Sequence, residues 1–334
     1  MKPNAYSTLL GFSLMLASGM AAAVSITGAG ATFPQPLYAQ WAQSYHASTQ
    51  NQINYQGIGS SGGVKQIVAG TVDFGATDDP LSKAEQDKQG LVQFPAVVGG
   101  VVPIVNIDGI GPGKLRLNGA VLADIYLGKI KQWNDAAIAK LNPGVKLPAS
   151  AIIRVVRADG SGTTYNFTHY LNQVSSAWSS VGASKSPKWP VQEAAGKGNA
   201  GVAQYVGRLK NSIGYVEYAY AKQNHLAHIQ LQNKAGKFVQ PSQATFAAAA
   251  QVNWQSAPGY DLVLTNQGSA NAWPITAATF ILLPKADKSG KNAEVIKFFD
   301  WAFKNGDAAA KKLDYVPLPA AAKNQVRNTW KSVK

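Results

Sequence analysis

The residues of this chain best suited to chemistry lie in one short loop, Arg157 to Thr163, which reads Arg-Ala-Asp-Gly-Ser-Gly-Thr. The loop follows the apolar, β-branched run 151–156 and precedes the helix-forming residues 164–173, a pattern typical of a strand, a turn and a helix. The first N–H groups of a helix have no partner within it and carry partial positive charge, so an oxyanion can bind there. The loop therefore predicts an anion site at the carboxyl end of a strand.

The side chains of this loop suit a tetrahedral anion. Ser161 and Thr163 carry hydroxyls that can donate hydrogen bonds, and Gly162 lets the backbone approach a ligand closely. Arg157 offers a planar fork for two oxygens of one anion, and Asp159, two residues along, could hold the guanidinium in place. Because Asp-Gly-Ser-Gly is also a common turn sequence, the loop by itself leaves a purely structural role open.

Two earlier segments repeat this arrangement. Residues 25–34 read as a strand, a glycine turn and a helix start at which Thr32 can act as the cap. Residues 52–56 read as a strand, followed by a glycine-rich loop that contains Ser60 and then by a helix. All three segments place hydroxyls at a helix N-terminus, which suggests one shared ligand.

A carboxylate follows another predicted strand, residues 71–77. Asp78 can only accept hydrogen bonds when ionised, so it favours a ligand that still carries a proton, such as phosphate, over a fully ionised anion such as sulfate. A polar site left unpaired in this way can discriminate by roughly 10⁴ to 10⁵. We expect the neighbouring Asp79 to face solvent, because Pro80 turns the chain away.

Strands alternate with helices along the chain, which indicates an α/β fold. The long β-rich segment 91–106 could carry the chain from one domain into another, and the strand 275–283 could carry it back. Residues 122–141 show a helical pattern, and three more helices are predicted at 293–305, 307–313 and 319–331.

The N-terminal residues and the cysteine count predict the compartment. One lysine, an apolar stretch and Ala-Ala-Ala predict a cleaved secretory signal peptide over residues 1–23. No later apolar run has that length, so we expect a periplasmic protein without a spanning helix. The chain has no cysteine, which excludes disulfides, thiolate metal sites and a lipidated N-terminal cysteine.

The net charge of +14 favours anionic partners. The basic residues are scattered rather than clustered, so neither nucleic acid nor a membrane surface is indicated as a partner.

Two hypotheses of an enzymatic function remain as alternatives. The segment 59–63 matches G-x-S-x-G with Ser61 as the nucleophile of a secreted serine hydrolase or phosphatase, and His169, His225 or His228 would then have to complete the triad. A metal-dependent phosphatase is less favoured, because the sequence has no H-E-x-x-H motif and no paired histidines with a carboxylate. No dinucleotide or P-loop fingerprint is present, and we expect no cofactor and no metal.

Several linked motifs resemble the periplasmic phosphate-binding proteins of bacterial ABC phosphate importers. The motifs lie at 27–34, 55–63, 73–76, 124–130, 157–163 and 214–220, and the resemblance covers essentially the whole mature chain. Where small neutral residues are more usual in this family, the chain carries Thr77 and Asp79.

The resemblance implies a two-lobed type II periplasmic binding protein with a ligand cleft between α/β lobes. Lobe I would comprise residues 24–103 and 275–334, and lobe II residues 104–274. The implied phosphate ligands, matched position by position, are Thr32, Phe33, Ser60, Asp78, Arg157, Ser161, Gly162 and Thr163.

In the family pattern Asp159 restrains Arg157, and no residue is catalytic. The implied partners are inorganic phosphate and an inner-membrane ABC permease complex, with the protein itself a monomer rather than an enzyme. A binding protein for another oxyanion, such as sulfate, molybdate or an organic phosphate, remains an alternative, although Asp78 argues against the first two.

Overall fold

The computed structural model describes residues 23–254 and 256–333. The predicted signal peptide, residues 1–23, lies outside the described residues except for its last residue. Within the described part, no helix has the length and apolar character needed to cross a membrane.

The strands run in chain order. They are β1 Ser25–Gly30, β2 Gln52–Gly57, β3 Phe74–Thr77, β4 Leu91–Asn106, β5 Arg116–Leu117, β6 Ile153–Arg157, β7 Ala194–Gly196, β8 Ser212–Glu217, β9 Ala227–His228, β10 Gln230–Gln232, β11 Phe238–Val239, β12 Thr276–Pro284 and β13 Val316–Pro317.

The α-helices lie between and after them. They are α1 Gln35–Thr49, α2 Ser60–Val68, α3 Lys83–Gln89, α4 Gly119–Tyr126, α5 Ala136–Leu141, α6 Gly162–Val174, α7 Gly198–Arg208, α8 Tyr218–Gln223, α9 Gln243–Ala249, α10 Asn292–Asn305, α11 Asp307–Lys312 and α12 Ala320–Trp330.

Among the described residues, the main sheet has the strand order β2-β1-β3-β12-β4-β8-β6-β7, and β9 and β13 also pair with β4. The first part of β4, Leu91–Gly100, pairs antiparallel with β12, and its last part, Val101–Asn106, pairs antiparallel with β8. One strand of 16 residues therefore belongs to both halves of the sheet. Such a strand is buried along almost its whole length, which explains its nearly continuous apolar sequence.

One helix prediction is wrong in extent. Residues 122–141 form two short helices, α4 and α5, rather than one. The first helix is followed by Gly128, whose positive φ of 74° is a left-handed conformation that glycine adopts readily. The second begins after Asp135, whose carboxylate accepts a hydrogen bond from the Ala137 N–H at 2.8 Å. The periodicity survives the break because both helices pack on the same core.

Candidate functional site

Ser60 joins two of the three hydroxyl-bearing loops, its own and that of Gly162, to Asp78. Its Oγ accepts hydrogen bonds from the Asp78 N–H at 3.2 Å and from the Gly162 N–H at 3.0 Å. Ser60 begins α2, Asp78 follows β3 and Gly162 begins α6, so one buried hydroxyl joins three elements. A Cβ added to Gly162 would lie 2.6 Å from Ser60 Oγ, so this approach requires glycine.

Arg157 is the last residue of β6 and is buried, and one nitrogen of its guanidinium group has no hydrogen-bond partner among the described residues. Its Nε donates to Asp159 Oδ1 at 2.9 Å and its Nη2 lies 2.5 Å from Asp159 Oδ2, so the predicted restraint by Asp159 is present. Asp159 is itself fixed by the Gly198 N–H at 2.9 Å. The buried Nη1 has no hydrogen-bond partner among the described residues. A buried guanidinium nitrogen without a partner is costly, which makes it a strong position for an anionic ligand.

The positive charge of Arg157 stabilises the ionised form of Asp159. Burial alone would raise the pKa of Asp159, but the hydrogen bonds and positive charge of Arg157 hold that pKa below its usual value. Asp159 is therefore an ionised residue that orients Arg157 in the neutral pH range.

Asp78 is a buried carboxylate that the structure holds in place from the far part of the chain. Thr279 Oγ1 donates to Asp78 Oδ1 at 2.7 Å, and the side-chain amide of Asn166 donates to the Asp78 carbonyl at 2.7 Å. Burial raises the pKa of Asp78 from 3.8 to about 7, while the Thr279 hydrogen bond and the charge of Arg157 oppose that rise. Asp78 is therefore a carboxyl group whose proton exchanges near neutral pH.

Asp79 does not face solvent, so that expectation is wrong. Only 12% of its side chain is exposed, and its Oδ2 lies 2.5 Å from Lys185 Nζ. Burial raises its pKa, and the charge of Lys185 opposes this. The chain bends at Asp78 and Asp79, and Asp79 meets a lysine from a distant segment, which the local sequence could not reveal.

Thr32 is connected to the other loops by Asn199. The Asn199 side-chain amide donates to Thr32 Oγ1 at 2.8 Å and to Thr163 Oγ1 at 3.3 Å, and the Asn199 N–H donates to Thr32 Oγ1 at 3.1 Å. The side-chain oxygen of Asn199, Oδ1, accepts a hydrogen bond from the Glu217 N–H at 2.8 Å. One asparagine thus ties two of the predicted ligand residues to strand β8.

Two tyrosines fix the backbone at Thr32 and Phe33. Tyr220 Oη donates to the Thr32 carbonyl at 2.7 Å, and Tyr315 Oη lies 2.6 Å from the Phe33 carbonyl oxygen and 2.8 Å from Glu217 Oε2. Phe33 is fully buried, and burial raises the pKa of Glu217 well above its usual value. The carbonyl groups of this loop are therefore occupied by protein donors.

Ser161 caps the 13-residue helix α6, since its Oγ accepts a hydrogen bond from the Thr164 N–H at 3.1 Å. Among the described residues its hydroxyl hydrogen has no acceptor, so it can donate to another group. Ser161 and Thr163 are both buried beside the helix N-terminus, where partial positive charge accumulates.

Ser61, His169 and His228 form hydrogen bonds with residues other than one another. The Ser61 N–H donates to the Gly160 carbonyl at 3.0 Å, whereas His169 Nδ1 contacts Thr265 Oγ1 at 2.7 Å and His228 Nε2 contacts Gln240 Oε1 at 3.2 Å. Among the described residues, no hydrogen bond joins a histidine ring to Ser61. Among the described residues, no cluster of three or more His, Cys, Asp or Glu side chains could hold a metal ion.

Sequence reasoning missed two residues that shape the site, Thr279 and Asn199. Thr279 lies 201 residues from Asp78 in the chain and next to a register shift between β12 and β4, and no local pattern points to it. Asn199 follows a glycine turn at the start of α7, which is the same kind of signal as in the three predicted loops. That signal could have found Asn199.

Comparison with known proteins first defines the class. Residues 17–305 match the PBP superfamily domain. A solved structure, a phosphate ABC transporter substrate-binding protein from Clostridium perfringens with bound phosphate, superposes with a TM-score of 0.66 at 18% identity, covering 88% of this chain and 100% of that one. The fold is therefore the two-lobed type II α/β fold of periplasmic binding proteins, and the predicted fold class is confirmed.

Two relatives define the family within that class. A phosphate-binding protein PstS from Pasteurella multocida is 57% identical over 313 residues, covering 93% of this chain and 91% of the relative. A phosphate-binding protein PstS from Haemophilus influenzae is 55% identical over 315 residues, covering 93% and 94%. The chain belongs to the PstS family of phosphate-binding proteins, as its sequence motifs indicate.

Proposed function

We propose that this chain binds inorganic phosphate in the periplasm and delivers it to an ABC import permease. The observation that carries this proposal is the buried Nη1 of Arg157, which has no hydrogen-bond partner among the described residues. The charge of Arg157 acts on buried Asp78, which lies beside the N-termini of α2 and α6. A buried cation beside a carboxylate suits a ligand that is an anion and still carries a proton. Phosphate has both properties near neutral pH.

We assign the phosphate contacts to the residues predicted from the sequence. Arg157 Nη1 would donate to one phosphate oxygen, and hydroxyl or N–H groups would donate to the others. These groups belong to Thr32, Phe33, Ser60, Ser161, Gly162 and Thr163. Charge-assisted hydrogen bonds contribute about 1.5–3 kcal/mol each, so several of them together could offset the dehydration of phosphate.

Asp78 would discriminate phosphate from sulfate. In its ionised form it accepts the proton that phosphate still carries, and it repels sulfate, which has no proton to offer. The hydroxyl of Thr279 would keep that carboxylate in its accepting orientation, since it already occupies Oδ1.

Closure of the cleft would complete the site. We place the lobe boundaries at residues 103 and 274, so that Ser60 and Asp78 belong to lobe I and Arg157 and Ser161 to lobe II. Because β4 and β12 pair over nine residues near these boundaries, they are suitable hinge strands. Binding and release would then require no chemical step on the ligand.

We further propose that the chain is exported with cleavage of residues 1–23, carries no lipid, acts as a monomer and docks on an inner-membrane ABC phosphate permease. A periplasmic binding role requires no catalytic residue and no cofactor. The three loops then serve binding alone, and Ser61 is a structural residue rather than a nucleophile.

Equilibrium dialysis of ligand-stripped protein against radiolabelled phosphate tests this function. We expect one phosphate per chain, and loss of at least about 100-fold in affinity in Arg157→Met, because the charge and the free donor disappear together. Arg208→Met, which removes an exposed arginine of α7, is the matched control and should bind like the wild type. Absence of phosphate binding by the wild type, or equal binding by both variants, would contradict the proposal.

A further inference from the structure

An ion pair joins two segments that approach the site from opposite parts of the sheet. Asp79 follows β3, within the β2-β1-β3-β12 part of the sheet, whereas Lys185 lies between α6 and β7, at the other end of the strand order. The side chains nevertheless meet, with 2.5 Å between Lys185 Nζ and Asp79 Oδ2. With the lobe boundaries proposed above, this pair spans the cleft.

The backbone of Asp79 is held in place by contacts other than the ion pair. The Thr77 hydroxyl donates to the Asp79 carbonyl at 2.8 Å and accepts from the Asp79 N–H at 3.1 Å. Both residues are buried, so this turn is rigid. The carboxylate therefore loses little conformational entropy when it binds a cation.

The backbone of Lys185 is anchored on the opposite side. Its carbonyl accepts the Ser161 N–H at 2.9 Å, and the preceding residue, Ser184, is tied to Thr168 of α6 by the Ser184 N–H at 2.9 Å and the Thr168 hydroxyl at 3.0 Å. Lys185 thus contacts the predicted phosphate loop with its main chain and Asp79 with its side chain. Motion of α6 away from β3 would pull the ammonium group from the carboxylate.

The pair lies at the rim of the site rather than in its centre. The Asp79 side chain is 12% exposed and the Lys185 side chain 37% exposed, so water reaches the lysine more readily than the aspartate. Partial shielding strengthens the attraction relative to a fully exposed pair, and contact with water lets the pair break without burying a lone charge.

We propose that the Asp79–Lys185 ion pair is a latch that holds the lobes together over bound phosphate and slows its release. The proposal rests on the proposed function, since it concerns the closed, phosphate-loaded state of the same site. A contact that exists only in the closed state stabilises that state and not the open one. The latch therefore lowers the release rate and leaves the association rate nearly unchanged.

Release of radiolabelled phosphate after dilution into excess unlabelled phosphate, followed by rapid filtration, tests the latch. We expect Lys185→Met and Asp79→Asn each to release phosphate about three- to ten-fold faster than the wild type. The double variant should release no faster than the faster single variant, because both substitutions break the same pair. Lys185→Arg keeps the charge and should stay near the wild-type rate.

The matched control is Lys188→Met, an exposed lysine of the same segment that forms no ion pair within the described part of the chain. It should release phosphate at the wild-type rate. High salt should speed release from the wild type and have less effect on the double variant.

Release at the wild-type rate from both single variants, or effects that add in the double variant, would overturn the latch while phosphate binding by the wild type stands. If the wild type binds no phosphate, the proposed function fails and the latch fails with it. The two failures are therefore distinguishable in one experiment.

Discussion

Replacement of Thr279 by valine removes one hydrogen bond and almost no volume. In the wild type the Thr279 hydroxyl donates to Asp78 Oδ1 at 2.7 Å, and both residues are buried, so water cannot substitute for the lost donor. A hydrogen bond to a charged group contributes about 1.5–3 kcal/mol and one to a neutral group about 0.5–1.5 kcal/mol. The cost of Thr279→Val therefore depends on whether Asp78 is ionised.

Because the pKa of Asp78 is raised to about 7, the group is mostly protonated at pH 5 and mostly ionised at pH 8. For the ligand-free protein we expect Thr279→Val to lower the free energy of unfolding by about 1.5–3 kcal/mol at pH 8 and by about 0.5–1.5 kcal/mol at pH 5. Because the lost hydrogen bond favours the ionised form, the pKa of Asp78 should also rise further in the variant.

Urea unfolding at pH 5 and at pH 8 measures the change in the free energy of unfolding, with Thr279→Ser as the control. Serine keeps the hydroxyl and loses a buried methyl group, so its cost should be about 0.5–1.5 kcal/mol at either pH. A loss in Thr279→Val that is equal at pH 5 and pH 8, or no larger than the loss in Thr279→Ser at pH 8, would contradict a Thr279 hydrogen bond that favours ionised Asp78.

Three further predictions concern the same loops. Arg157→Lys keeps the charge but loses the planar fork that both Asp159 and the ligand need, so phosphate affinity measured by dialysis should fall about 10- to 100-fold; unchanged affinity would contradict a direct contact. The folded-state pKa of Asp78 lies above its unfolded value of 3.8, so its burial costs stability as pH rises from about 4 to about 7, by up to about 4 kcal/mol. Asp78→Asn should remove that part of the pH dependence of the free energy of unfolding in the ligand-free protein. An unaltered pH profile would count against the raised pKa of Asp78. Ser61→Ala should bind phosphate within about two-fold of the wild type, because the contact of Ser61 to Gly160 uses its backbone N–H; a large loss in affinity would restore the nucleophile interpretation.

The loops of the site could be predicted because each carries its signal within a few residues. Glycine and hydroxyl residues between a β-branched run and a helix former define the turn, and the resulting N-termini at Ser60 and Gly162 do meet. The predicted pairing of Arg157 with Asp159 also depends only on a spacing of two residues.

The rest of the site depends on how distant segments pack, which local patterns do not encode. Thr279 reaches Asp78 only because β12 lies between β3 and β4 in the sheet. Lys185 reaches Asp79 because the first turn of α6 lies beside the end of β3 and the Ser161 N–H holds the Lys185 carbonyl there. The expectation that Asp79 faces solvent failed for this reason. The break within residues 122–141 was missed because an apolar periodicity shared by two helices reads as one.

Selection of phosphate over sulfate by buried Asp78 can be tested by calorimetric titration. Ligand-stripped wild type and Asp78→Asn are each titrated with phosphate and, separately, with sulfate. We expect one phosphate per wild-type chain with no detectable sulfate binding, and measurable sulfate binding in Asp78→Asn, whose amide can donate to a fully ionised oxygen. Equal binding of sulfate and phosphate by the wild type, or unchanged discrimination in Asp78→Asn, would contradict the claim that this buried carboxylate selects phosphate.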